Sequence, residues 1–118
     1  MMVAADEVVI VARGRLADES AALALRVALA IPLGGSSVRL FLTGPTCLLA
    51  RVDPAQMGSQ VGRQLDSLIQ DEDAPVAAER ESLVRLGLAA VQLRPGVGIV
   101  SQAEIEEACA KARHCLVI

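Results

Sequence analysis

The stretch Pro75-Val-Ala-Ala-Glu-Arg-Glu-Ser-Leu-Val-Arg-Leu-Gly-Leu88 decides how this chain is read. Within 14 residues, a short apolar run, a charged turn, an amphipathic helical segment and a glycine stop follow one another. Val76 to Ala78 reads as a short strand and Glu79 to Leu86 as a helix. Gly87 reads as the helix C-cap, because glycine takes the left-handed conformation there without a steric penalty. Downstream, Val91-Gln-Leu93 reads as a short strand and Arg94-Pro-Gly96 as a turn. Val97 to Val100 is either a strand or the approach to the next helix. Ser101-Gln-Ala-Glu104 is a capping box, in which the serine and glutamate side chains satisfy each other's backbone N–H groups. The helix it opens, Gln102 to Arg113, places Ile105, Ala108, Cys109 and Ala112 on one face. Cys115 to Ile118 is a closing strand.

The same alternation holds upstream. Glu7-Val-Val-Ile-Val-Ala12 is almost wholly apolar and β-branched, the pattern of a strand buried on both faces. Asp18 is an N-cap candidate for a helix that runs to about Ala30 and stops before Pro32, since proline disfavours helix in the residue before it. Apolar residues lie almost all round this helix, and Arg26 is its only charge after Glu19. One face can cover a sheet; the other predicts a subunit interface, through residues 18–31. Val38 to Thr43 is the next strand. Gly44-Pro45 breaks it, and Thr46 to about Ala50 reads as a helical turn. Asp53-Pro-Ala-Gln56 opens a further helix, with Val61, Leu65, Leu68 and Ile69 on one face. Asp71-Glu-Asp73 reads as a solvated loop. Strands alternating with helices predict an α/β fold: a single three-layer domain over residues 1–118, with a mostly parallel sheet of about five strands and helices on both faces.

Composition narrows the function classes. Phe41 is the only Phe, Tyr or Trp among 118 residues, so the core must be built from Ala, Val, Leu and Ile, and bases cannot stack on aromatic rings. A net charge of −3 with no basic stripe argues against nucleic acid and anionic membranes as partners. The longest apolar stretch, Ala21 to Leu33, holds Arg26 and Pro32 and is too short to span a bilayer. Acidic Asp6 and Glu7, with no basic n-region before them, predict no signal peptide. Three cysteines at irregular spacing are not a disulfide framework, which fits a reducing, cytoplasmic setting.

Several residues can carry chemistry, and each has a plainer structural role beside it. Cys47 follows a strand end, where sites form in open α/β sheets; a thiol there can be a nucleophile, or a small apolar residue facing the core. Cys109 falls on an apolar helix face and Cys115 opens a strand, so both are expected in the core. With His114 they match no zinc spacing, and no metal site is expected. His114 suits a helix C-terminus. Arg13 and Arg15 follow the first strand and can hold an anion, or can be solvated turn residues. Glu79 follows the third strand and is either a binding residue or a first-turn glutamate favoured by the helix dipole. Gly34-Gly35 lacks the Gly-Lys pair of a phosphate loop, and Gly96-Val-Gly98 lacks the third glycine of a dinucleotide site, so no cofactor is expected.

The order of these elements resembles the DsrE/DsrF/DsrH-like (Tus-type) sulfur-relay family across most of the chain. Val8 to Ala12 with its Ala/Leu helix, Val38 to Thr46, and Ile105 to Ile118 resemble the family's corresponding segments. Val76 to Leu88 is most similar to the DsrH/TusB branch, with Arg85-Leu-Gly-Leu88 standing where that branch has an Arg-Gly-Leu-like end. The resemblance implies a persulfide carrier, or a structural subunit of an oligomeric sulfur-transfer complex, homo- or hetero-oligomeric, with sulfur-donor and sulfur-acceptor proteins as partners. The DsrE-type cysteine would fall near Ala78 or Glu79, where this chain has none, so direct persulfide transfer would rest on Cys47. The alternative is a non-catalytic small-molecule or anion-binding α/β module using Arg13, Arg15 and Glu79.

Overall fold

Five strands form one wholly parallel sheet. The computed structural model describes residues 7–14, 19–51, 60–70 and 75–118. Its elements are β1 (Glu7–Ala12), α1 (Glu19–Ala30), β2 (Ser37–Leu42), α2 (Gln60–Gln70), β3 (Val76–Glu79), α3 (Arg80–Leu86), β4 (Gly98–Val100), α4 (Gln102–Lys111) and β5 (His114–Val117). The strand order is β4-β3-β2-β1-β5. This is the α/β fold expected from the sequence, with helices on both faces.

The order explains the layers. From β1 through β4 each step along the sheet goes the same way, and a right-handed crossover then puts every connecting helix on one face. The step from β4 to β5 reverses direction, so its helix must lie on the other face. The cores agree. Ile10, Leu40, Leu42 and Ala78 pack with Ala24, Leu25 and Ala28 of α1, Leu65 and Leu68 of α2, and Leu83 of α3. Val9, Val11 and Phe41 pack on the opposite face with Ile105 and Ala108 of α4. The connections leaving β3 and β4 thus depart to opposite faces, which opens a crevice at the carboxyl edge of the sheet.

Local chemistry sets the element ends. Gly87 caps α3 at φ 72°, the left-handed conformation expected of it. Glu104 N donates to Ser101 Oγ at 3.1 Å and Ser101 N to Glu104 Oε2 at 3.1 Å, which is the capping box of α4. Glu81 reinforces that start from across the fold, accepting from Gln102 N at 3.1 Å. The α-helix α1 ends at Ala30, before Pro32, as expected, and a separate 3-10 helix over Ile31–Gly34 takes the proline in its first turn. Three expectations are corrected. Val91 to Leu93 is not a strand: Ala90–Gln92 is a 3-10 helix, in which the Gln92 side chain accepts from Ala89 N at 2.8 Å. That local bond offers the backbone an alternative to a ladder. Only an isolated antiparallel bridge, Arg51 with Leu93, remains there. Glu79 is the last residue of β3 rather than the first of the helix. Finally, α4 ends at Lys111, and Arg113 N is given to Glu7 O at 3.0 Å, so sheet pairing takes over two residues early. Asp18, Asp53 to Gln56 and Asp71 to Asp73 lie outside the described residues.

Gly96 tests the packing. Its φ is 96°, and a Cβ there would stand 2.4 Å from Ile69 Cγ2, on a stiff β-branched side chain. Gly96→Ala is expected to cost about 1–3 kcal/mol in urea unfolding, from backbone strain and overpacking together. Gly34→Ala, where nothing lies within 4 Å, is expected to stay within about 0.5 kcal/mol.

Candidate functional site

The carboxyl edge is built on two threonines and one serine. Thr43 follows β2, and its Oγ1 donates to Ala12 O at 3.0 Å. Thr46, in the 3-10 helix Gly44–Ala50, brings its Oγ1 within 2.6 Å of the same carbonyl and accepts from Thr43 N at 3.2 Å. These buried bonds tie the turn after β2 to the end of β1. Ser82, in the first turn of α3 and 1% exposed, joins that turn to β3. Its hydroxyl accepts from Gly44 N at 2.8 Å and from Arg85 Nη2 at 3.1 Å, and donates to Glu79 Oε1. Arg85 Nη2 also stands 3.6 Å from Glu79 Oε1. The Glu79 carboxylate, on a residue 8% exposed, is therefore held from two sides.

Cys47 lies beneath this network. It is fully buried, and its thiol donates to Leu42 O at 3.1 Å. Burial pushes its pKa above the ordinary 9.0, and the nearby Glu79 charge adds to this. A backbone hydrogen bond from Glu79, the Ser82 hydroxyl and the Arg85 charge act the other way without reversing the shift. The sulfur is thus a neutral thiol packed in the core, one of the two roles its position allowed.

The open part of the edge is a cleft of about 410 Å³ between β1, β3 and α4, lined by residues that include Arg13, Glu79, Gln102, Glu106, Cys109 and Cys115. Two of the sequence candidates, Arg13 and Glu79, both line it. Arg15 lies outside the described residues. A second hollow, of about 370 Å³, lies beside α4 around Arg39 and Lys111. Its cations are already paired: Arg39 with Glu7 at 3.2 Å and Lys111 with Glu107 at 2.7 Å.

The cysteines after Cys47 differ from expectation. Cys115 is exposed and Cys109 half-buried, where core positions were expected. The reason is that β5 is an edge strand, paired among the described residues only with β1, and its Cys115 and Val117 face the open cleft rather than a covered sheet. Cys115 donates its S–H to Cys109, with 2.6 Å between the sulfurs. The Cys109 thiol is pushed up to about 12, first by burial and then by its bond to Cys115. His114 is exposed at the start of β5, opposite Val8. No group of three metal-binding side chains converges among the described residues. Sequence reading missed Ser82, yet a signal was present: Glu79 and Ser82 stand three apart at a helix start, which puts both on one side of the first turn.

Two outcomes follow. Ser82→Ala leaves Gly44 N without its acceptor and Glu79 without its hydroxyl donor, and is expected to cost about 1–3 kcal/mol in urea unfolding. The raised pKa values of Cys47 and Cys109 mean that the fold favours their neutral thiols. Their contribution is full below pH 9.0 and is lost as pH climbs through the folded-state values. The melting temperature is therefore expected to fall as pH rises from about 9 towards about 12, and less steeply in a Cys47→Ala, Cys109→Ala double variant.

Neither a family model nor a curated protein sequence matches this chain. Solved structures do. The ychN protein from E. coli superposes with a TM-score of 0.84 at 25% identity, covering 96% of this chain and 99% of that one. A protein of unknown function, MTH1491 from Methanobacterium thermoautotrophicum, gives 0.72 at 16% identity, covering 95% and 97%. A conserved protein of unknown function, BT1422 from Bacteroides thetaiotaomicron, gives 0.75 at 17% identity, covering 100% and 99%. With five parallel strands in the order found here and these neighbours, the chain has the DsrE-like fold.

Proposed function

We propose that this chain is a subunit of a sulfur-relay assembly, nearest in pattern to the DsrH/TusB branch, that acts by binding at its carboxyl-edge cleft rather than by carrying sulfur on Cys47. The observation that carries this reading is the state of Cys47. It has no exposed surface, its S–H is committed to Leu42 O, and burial disfavours its thiolate. A sulfur carrier needs an accessible thiolate. The position where the DsrE-type cysteine would fall holds Ala78, fully buried, and Glu79, tied to Ser82. What remains open at this edge is the cleft, with Arg13 and Glu79 among its lining residues. Such a pair suits a small polar ligand or a partner's charged side chain.

Assembly is part of the same proposal. The outward face of α1 carries exposed Leu23 beside Arg26, while its inner face is buried. This face, as the sequence suggested, is the proposed subunit contact, in a homo-oligomer or with a related chain. Three free cysteines fit a reducing, cytoplasmic setting. Among the described residues no helix is long and apolar enough to cross a membrane.

The test is intact-mass analysis of the native protein after exposure to a polysulfide donor, with peptide mapping. Cys47 is expected to stay unmodified, and Cys47→Ser to take up as much sulfur as the parent. A gain of about 32 Da that maps to Cys47 and disappears in Cys47→Ser would establish the carrier reading instead. Native mass spectrometry is expected to show a multiple of the 12.3 kDa chain that Leu23→Asp reduces to the monomer. A parent that is already monomeric would point to a subunit awaiting a different partner.

A further inference from the structure

We infer that Cys109 and Cys115 form a reversible dithiol–disulfide pair that reacts with low-molecular-weight disulfides at the carboxyl-edge cleft, a role independent of the sulfur-relay reading. Three observations carry it. The two sulfurs are 2.6 Å apart, close to the covalent S–S length of about 2.05 Å, and Cys115 already directs its S–H at Cys109. Both residues line the same open cleft, so a small disulfide can reach them. Their accessibility is graded: Cys115 is exposed, while Cys109 is half-buried against the sheet.

The positions follow from the fold. Cys109 lies in the last turn of α4, and Cys115 is the second residue of β5. The chain turns once between them and is pinned by Arg113 N on Glu7 O, so the pair is held by the β1–β5 register. Closing the bond joins neighbours and needs no distant rearrangement. No third metal-ligating side chain converges on the pair among the described residues, so a dithiol is the chemistry this site offers.

The grading assigns the order of steps. The Cys115 thiolate attacks one sulfur of the small disulfide, forming a mixed disulfide on Cys115 and expelling the first small thiolate. Cys109 then gives up its proton and attacks the Cys115 sulfur, expelling the second. Two protein thiols are oxidised to one disulfide, and one small disulfide is reduced to two thiols. Two electrons pass to the small molecule, and the two thiol protons end on its products. The high pKa of Cys109, raised first by burial, fits its place as the second, resolving thiol.

The experiment uses the full chain, reduced and freed of reductant, then incubated anaerobically with excess glutathione disulfide at about pH 8 and quenched in acid. Thiols titrated in denaturant are expected to fall from three to one, and the intact mass to drop by about 2 Da as two hydrogens are lost. Peptide mapping should join Cys109 to Cys115 and leave Cys47 free. Cys109→Ser is expected to stop at a stable adduct of about 305 Da on Cys115, because nothing resolves it. Cys115→Ser is expected to consume glutathione disulfide at least about tenfold more slowly. The proposal is overturned if all three thiols survive, if the parent accumulates the mixed disulfide without closing, or if Cys47 is one of the bridged residues. Because Cys115 is exposed, its serine variant should fold, and equal rates for it and the parent would also overturn the assignment.

Discussion

The Ser82 hydroxyl is the joint on which the carboxyl edge depends. A parallel sheet ends in loops whose backbone N–H and C=O groups lose their ladder partners while still close to the core, and burying them unpaired is costly. Here one small side chain receives Gly44 N from the turn after β2, directs its own proton at Glu79 at the end of β3, and accepts from Arg85 one turn along α3. Thr43 and Thr46 do the same for the end of β1 through Ala12 O. Three strand ends are thereby fixed relative to one another by hydroxyl groups, without large side chains. That suits a chain with one aromatic residue, whose core must gain its density from small aliphatic groups.

Much of this architecture was legible in the sequence. Val8 to Ala12 announced a buried strand because β-branched and aliphatic residues ran without alternation, and Gly87 and Ser101-Gln-Ala-Glu104 marked helix ends by mechanisms that act locally. The failures share a cause. Cys115 was expected in the core because an apolar closing strand resembles any other strand; whether it is central or at an edge is decided by which strand it pairs with, and that is not written in the strand itself. Val91 to Leu93 looked extended, but the Gln92 amide reaching Ala89 N turned it into a helical turn. The cleft was half legible. Strand ends identified Arg13 and Glu79, whereas the meeting of Cys109 and Cys115 needed both the register of β5 on β1 and the point where α4 stops.

The two faces of the sheet are unequal. Among the described residues, α1, α2 and α3 pack on one face and α4 alone packs on the other. The cleft exists because that single helix cannot reach across five strands, so the reversal of direction after β4 creates both the crevice and its shallow lining. Cys47, on the thickly covered side, is buried for the same reason that Cys115, on the thinly covered side, is open.

The pairing of β5 with β1 has a consequence for how the molecule comes together. Val8 and His114 are neighbours in the sheet but stand more than a hundred positions apart in sequence. Such a contact closes a very long loop, and contacts of that kind form slowly. As the chain leaves the ribosome, β1 can dock against β2 early, yet its other edge has no partner until β5 emerges. A run of valines and isoleucine with an unpaired edge is a template for the wrong strand. Of these five strands, the last to be made is thus the one that seals the first, and in the interval between them that edge is open to misassembly.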